Sequence, residues 1–251
     1  IILPQSYRVP MRVQHIADQI LDRIPDDRRI KKLWAPRPES GTVEHITAIE
    51  DTPLYEGDWL ILSRTNDKLN KLKPVLKDMA IYFEIKGRKS YKTRLYTAVK
   101  NYTRWTNGDK LSMSECKDLF EFLELDKELK EERMYGLEEF GYSITDQWYE
   151  VFKSDPEENL YIREMLRNEQ KLSEPAKVKL STIHAAKGGE ATNVLIILDN
   201  TKKIREAMDR SEDKRDEENR VWYVGVTRTK QNLFIMTAKQ EDRGYDIESI
   251  T

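Results

Sequence analysis

The chain alternates between short, wholly apolar runs and longer stretches in which apolar residues recur every three or four positions. Three runs stand out: Trp59-Leu60-Ile61-Leu62, Val194-Leu195-Ile196-Ile197-Leu198 and Leu233-Phe234-Ile235-Met236. Runs this short and this continuous suit strands buried on both faces, as in a parallel sheet covered by helices. A buried helix segment is the alternative, and the β-branched content of the second run favours the strand. Val178–Thr182 and Thr42–Ile46 alternate only in part and are weaker strand candidates.

Helical spacing fills the intervals. After Pro10, Val13, Ile16, Ala17, Ile20 and Ile24 share one helical face, and Leu69, Leu72, Val75 and Leu76 repeat the pattern. Residues 91–105 predict a third helix, and residues 217–230 a fourth with Asp216 as its N-cap. Strands alternating with helices imply an α/β fold built on a parallel sheet with right-handed crossovers. From 106 to 175 the pattern changes. No strand run is visible, and short charged helical pieces are expected at 114–125, 126–135, 144–152 and 160–172, punctuated by Asn107-Gly108, Asp155-Pro156 and Glu174-Pro175. The organisation expected is therefore a discontinuous domain, 1–106 plus 176–251, interrupted by a small helical insertion at 107–175. The mixed-charge run 202–218 reads as a solvated helix or loop.

Composition narrows the class. Of 251 residues 35% are charged, but 43 Lys and Arg against 45 Asp and Glu leave a net charge of −2. Balanced charge with five Trp and twelve Tyr describes a solvated globular protein rather than a disordered one. It gives no global argument for nucleic acid, so any such binding has to be local. The single Cys116 excludes a disulfide framework and points to a reducing, cytoplasmic compartment. Three His and one Cys make a structural zinc site improbable, and no metal site is expected. No uncharged stretch approaches the roughly 18 residues of a membrane span, so no membrane partner is expected. The chain opens Ile1-Ile2-Leu3 rather than with Met, which suggests a piece of something longer.

Three segments carry candidate chemistry. Thr182-Ile183-His184-Ala185-Ala186-Lys187-Gly188-Gly189-Glu190 lies between two expected strands. Ligands of open α/β sheets bind beyond the carboxyl ends of strands, and glycines admit close approach of a phosphate. An ordinary strand–turn with a solvent lysine fits the same residues. In the expected fourth helix, Arg228 would share a face with Val221, Val224 and Gly225. A guanidinium there either pairs with a carboxylate or is aimed into a cleft, where it would stabilise charge on a transferring phosphoryl group. Gln5-Ser6-Tyr7-Arg8, ahead of the first helix, places another arginine near a strand–helix junction.

Taken together and in this order, Gln-Ser-Tyr-Arg, Thr-Ile-His-Ala-Ala-Lys-Gly-Gly-Glu and Tyr-Val-Gly-Val-Thr-Arg resemble motifs IV, V and VI of superfamily 1 DNA helicases of the UvrD/Rep/PcrA type. Leu60, Ser63, Arg64, Thr65 and Asn66 resemble the Arg-Ser/Thr-Asn segment of that family, and residues 86–105 its Gly-Gly-x-x-Phe-Phe region. The resemblance covers roughly 1–106 and 176–240. It implies the second, C-terminal RecA-like domain of such a helicase, a P-loop NTPase-type sheet with the insertion at the 2B position. It also implies that Arg8 and Arg228 reach the γ-phosphate of ATP, the latter as an arginine finger, and that Glu190 lies near the ribose. Lys187 and Gly188 would shape the loop between nucleotide and DNA, with Gly188 at the nucleotide. Arg64, Asn66, Thr182 and His184 would hold single-stranded DNA near duplex junctions, mostly through phosphates.

The chain departs from the family pattern at Ala185, at Gly189 and Ala191 beside Glu190, and at Leu95-Tyr96-Thr97-Ala98, where no DNA role is assigned. No Gly-x-x-x-x-Gly-Lys-Ser/Thr occurs. Asp216-Glu217-Glu218-Asn219 imitates an acidic magnesium box but lacks the preceding apolar strand. Asp199 does end such a strand, without a P-loop to serve. The P-loop, the Mg²⁺ ligands and the first RecA-like domain are thus expected elsewhere in a full-length protein that hydrolyses ATP. This fragment is expected to be inactive alone. The alternative is a degenerate helicase-like module that binds DNA or docks a partner without motor activity.

Overall fold

The computed structural model describes residues 5–29, 35–125, 127–143, 145–186, 188–238 and 244–247. In chain order the elements are β1 (Gln5–Pro10), α1 (Met11–Leu21), β2 (Ala35–Arg37), β3 (Thr42–Ile46), β4 (Trp59–Ser63), α2 (Asn66–Asp78), β5 (Phe83–Ile85), β6 (Arg88–Lys89) and α3 (Thr93–Thr106). There follow α4 (Met113–Leu123), α5 (Trp148–Val151), α6 (Pro156–Arg167), β7 (Val178–Thr182), β8 (Ala191–Ile197), α7 (Lys202–Arg210), α8 (Glu212–Val226) and β9 (Thr229–Met236). The chain divides into two compact units, Ile1–Arg88 with Pro175–Thr251, and Lys89–Glu174. The helix α3, expected in the sheet domain, falls in the second unit.

In the first unit the strands run in the order β3-β9-β8-β4-β7-β5-β6, and β3·β9, β9·β8, β8·β4, β4·β7 and β7·β5 all pair parallel. This is the α/β architecture expected, a mostly parallel sheet flanked by helices. The apolar runs are continuous because both faces are covered. Leu60, Leu62, Val194, Ile196, Leu233 and Ile235 pack on one side with Val13, Ile16, Ile20, Trp222 and Val226 of α1 and α8. Trp59, Ile61, Leu195, Ile197 and Phe234 face the other side with Leu69, Leu72 and Leu76 of α2. Alternate residues of one strand thus serve two different cores. β1 and β2 form a separate parallel pair. Pro10 ends β1 and caps α1 without a side-chain bond; instead the first free amides, of Met11 and Arg12, donate to the carbonyls of Glu39 and Ser40.

Two expectations about the C-terminal third fail. The segment 202–218 is not simply solvated: it forms α7 and the first half of α8, and it buries Met208, Asp216 and Glu218. The helix expected at 217–230 begins and ends earlier. Ser211 is the N-cap, its hydroxyl accepting from the Lys214 amide, with Glu212 and Asp213 in the first turn. Asp216 instead sits inside the helix, its carboxylate 2.8 Å from Arg28 Nε. The helix stops at Val226, so Arg228 lies beyond it and shares no helical face with Val221 or Val224.

Gly225 is the contact between α8 and the sheet. A methyl there would lie 2.8 Å from Ile196 Cδ1 and 3.2 Å from Ile183 Cδ1, both in the packed core. We expect Gly225→Val to lower stability by about 1–3 kcal/mol through overpacking, read as a lower urea midpoint at unchanged slope.

In the second unit, α4 carries a capping box: Ser112 and Glu115 bond each other's amides. The core is aromatic, with Trp105, Phe120 and Tyr135 around Phe140, and Tyr102 and Trp148 against Phe152. The lone Cys116 is buried there, and burial pushes its thiol up to about 11. The helix expected at 126–135 is absent among the described residues; the chain there is held by an antiparallel bridge, Leu111 to Tyr135. The helix expected at 144–152 shrinks to the single turn of α5, and that expected at 160–172 is α6, which starts earlier at Pro156 behind its cap Asp155. Asp126 and Ile144, which opened two of those expected helices, lie outside the described residues. No described helix is long and apolar enough to cross a membrane.

Candidate functional site

The parallel register places the candidate residues at two opposite edges of one sheet. Ser63 pairs with Thr182 on β7 and with Ile197 on β8, so the ends of β4, β7 and β8 are level. Arg64, Asn66, Thr182 and His184 therefore gather at the carboxyl edge, on or just after β4 and β7. Glu190 precedes β8 and Arg228 precedes β9, at the amino edge. The seven residues of β8 separate the edges, about 20 Å for six rises of roughly 3.3 Å. The segment 182–190 that seemed one phosphate loop in sequence is thus a crossing strap. Ile183 and Ala186 are buried on its way, Ala186 N donates to Thr182 O, and Gly189 N to Ala186 O. Lys187 lies outside the described residues. Gly188 is exposed with φ +86°, a left-handed conformation that suits glycine.

At the amino edge, charge converges on Glu190. Its carboxylate takes Lys230 Nζ at 2.8 Å on one oxygen and Arg8 Nη1 at 3.4 Å on the other. Lys230 first, and then Arg8, hold the Glu190 carboxyl below the usual range. Arg228 reaches Gly189 O with Nη1 at 3.5 Å, and its own carbonyl accepts from Ala191 N at 3.3 Å, so the ends of the strap and of α8 are tied together. Burial first, and the nearby positive charge of Arg8 second, push the Arg228 guanidinium below its ordinary value. Two cations thus pair with one carboxylate and a third bonds the carbonyl just before it, and the Nε atoms of Arg8 and Arg228 are buried without an acceptor. Cations gathered with spare donors suit a polyanion. Lys230 was not among the candidate residues. Its place two positions after Arg228, at the start of a strand whose register pairs the preceding Thr229 with Ala191, was the signal that could have found it.

At the carboxyl edge the four candidates differ in what holds them. His184 and Asn66 are exposed, and the Thr182 hydroxyl accepts from Ala185 N at 3.3 Å, bracing the turn. Arg64 is engaged. Its Nε and Nη2 donate to both oxygens of Glu218 at 2.8 and 2.6 Å, a fork-to-fork pair that joins β4 to α8. Asp199, weighed as a magnesium ligand, is buried 3.1 Å from Lys68 Nζ. No cluster of three His, Cys, Asp or Glu suited to a metal occurs among the described residues.

Residues 59–240 match the family model of the UvrD-like helicase C-terminal domain. The chain belongs to this family. A solved structure with likeness to it is the C-terminal domain of a possible DNA helicase from a Lactobacillus strain, WCFS1, at 10% identity, TM-score 0.39, covering 92% of this chain and 86% of that one. No curated protein matches. The match to the UvrD-like helicase C-terminal domain spans both edges, from β4 through the strap and α8 to the end of β9, and includes the inserted helical unit.

Proposed function

We propose that this chain is the second RecA-like motor domain of an ATP-dependent DNA helicase. In this reading its amino edge meets the nucleotide and its carboxyl edge carries part of the single-stranded DNA track. The observation that supports it best is the gathering of Arg8 and Lys230 on Glu190 with Arg228 on the adjacent Gly189 carbonyl, with buried donors left over for an anion. ATP, when bound, supplies the phosphoryl group that passes to water. The chain's own residues do the rest of the work on this side. Arg228, held by its backbone bonds to the strap, presents a charge that is always on and already stripped of part of its water. Such a charge stabilises developing negative charge better than one that must first be desolvated. Arg8 adds a second cation, and Lys230 keeps Glu190 ionised and placed, with Gly188 allowing close approach of the strap. The P-loop, the Mg²⁺ ligands and the attacking water's base are assigned to the first RecA-like domain, the partner this reading requires. Substrates are single-stranded DNA and its duplex junctions.

The purified chain is expected to show no ATP hydrolysis above buffer, with or without DNA, and only weak ATP binding by equilibrium dialysis. Turnover by the chain alone would refute the reading. Joined to a P-loop RecA-like domain of the same family, it is expected to yield DNA-stimulated hydrolysis.

A further inference from the structure

Beside the Arg64–Glu218 pair a shallow cavity of about 220 Å³ opens between α7 and α8, lined by Arg64, Lys203, Met208, Lys214, Glu217 and Glu218. Three cations and two carboxylates face it, and Lys214 is answered by Glu217 at 2.7 Å, Arg64 by Glu218. The pair is graded in depth: the Glu218 side chain is 10% exposed and that of Arg64 19%. Both side chains are thus largely buried, and one guanidinium edge, Nε and Nη2, is consumed by the carboxylate. Arg64 is so neutralised in the free protein, although it stands at the carboxyl edge beside Thr182.

The geometry points to this cavity as a phosphodiester seat whose central cation, Arg64, is held in reserve by Glu218 until a DNA phosphate displaces the carboxylate. The inference rests on the DNA reading of the carboxyl edge and adds Lys203, Lys214 and Glu218 to it. The phosphate takes the place of the carboxylate on Arg64, and the displaced carboxylate still faces a cation, Lys214, whose charge already acts on it across the cavity, so neither charge of this largely buried pair is left unmatched. The pair also has a second consequence. Glu218 and Val226 are eight residues apart on α8, about 12 Å of rigid helix, and Arg228 follows directly. Release of Glu218 thus acts on the element that ends at the amino-edge arginine.

The test uses the whole chain and a labelled thymidine oligonucleotide, with affinity measured by anisotropy at several salt concentrations. Glu218→Gln keeps size and polarity but removes the competing charge. It is expected to bind about three- to tenfold more tightly at low salt, with a salt slope steeper by about 0.7, the contribution of one more phosphate contact on a single strand. The oligonucleotide should also raise its melting temperature more than that of the parent protein. Adding Arg64→Ala should abolish the gain, and Lys203→Ala should weaken binding in either background. Because Glu218→Gln removes a buried charge, Arg64→Lys serves as the second variant. Its ammonium cannot form the fork, and it should likewise steepen the slope. If the parent protein binds and neither variant steepens the slope, the seat is wrong while the DNA reading stands. If parent and variants all fail to bind, the DNA reading falls and the seat with it.

Discussion

Arg228→Ala, introduced into this domain joined to its P-loop partner, is expected to lower DNA-stimulated ATP hydrolysis by about 10³- to 10⁵-fold, the range seen when an arginine finger is removed. Single-stranded DNA affinity should change less than twofold, because Arg228 sits at the amino edge, a strand length away from Arg64 and Thr182. The chain should still fold. Arg228 is only partly buried, and its side-chain bond to Gly189 O is long at 3.5 Å. Its burial and the repulsion from Arg8 both act against the charged form, so loss of that charge relieves the free protein rather than harming it. A measured loss of stability above about 2 kcal/mol, the cost typical of breaking a needed buried bond, would instead mark Arg228 as a structural residue. Loss of DNA binding with intact hydrolysis would reverse the assignment of the two edges.

The largest effect on stability is expected at Gly41. This residue has φ +68°, and a methyl on it would stand 2.6 Å from Pro10 Cβ and 2.7 Å from the carbonyl oxygen of Gln231. Neither neighbour can rotate away, since one is a ring on a fixed backbone and the other is backbone of β9. Gly41→Ala should cost about 2–4 kcal/mol, the sum of left-handed strain and overpacking, seen as a lower urea midpoint with unchanged slope. The same substitution tests the site. Gly41 follows Glu39 and Ser40, whose carbonyls hold the first amides of α1, and Pro10 lies two residues after Arg8. A shifted Pro10 would carry Arg8 away from Glu190, so weakened nucleotide affinity should accompany the lost stability. Gly57→Ala makes a suitable control. It shares the left-handed φ of +71°, but the atom a methyl would meet is the amide nitrogen of the Asn193 side chain.

How far the chain could be read in advance follows from which interactions are local. The runs at β4, β8 and β9 were legible because a strand buried on both faces needs an apolar residue at every position, and no other demand on those residues competes. Val178–Thr182 and Thr42–Ile46 were legible from alternation alone and match β7 and β3. β2, β5 and β6 were missed: they are two or three residues long, too short to carry a period. The misplaced start of α8 has a different cause. Asp216 is a good N-cap by type, but Arg28, nearly two hundred residues away in sequence, draws it into a buried ion pair, while Ser211 takes the cap.

By itself the sequence determined the family, the α/β class and the order of the motifs. These depend on residue type and short spacing, which are printed in the chain. Only the tertiary structure decided that Thr182 and Glu190, eight positions apart, lie at opposite edges of the sheet. Only it decided that Lys230 joins Arg8 on Glu190 and that Arg64 is already held by Glu218. Those outcomes depend on strand direction, register and the meeting of charges 40 to 182 positions apart. A charge has no periodicity to announce its partner. Its role is set by the distance to the nearest opposite charge, and that distance exists only once the sheet has formed.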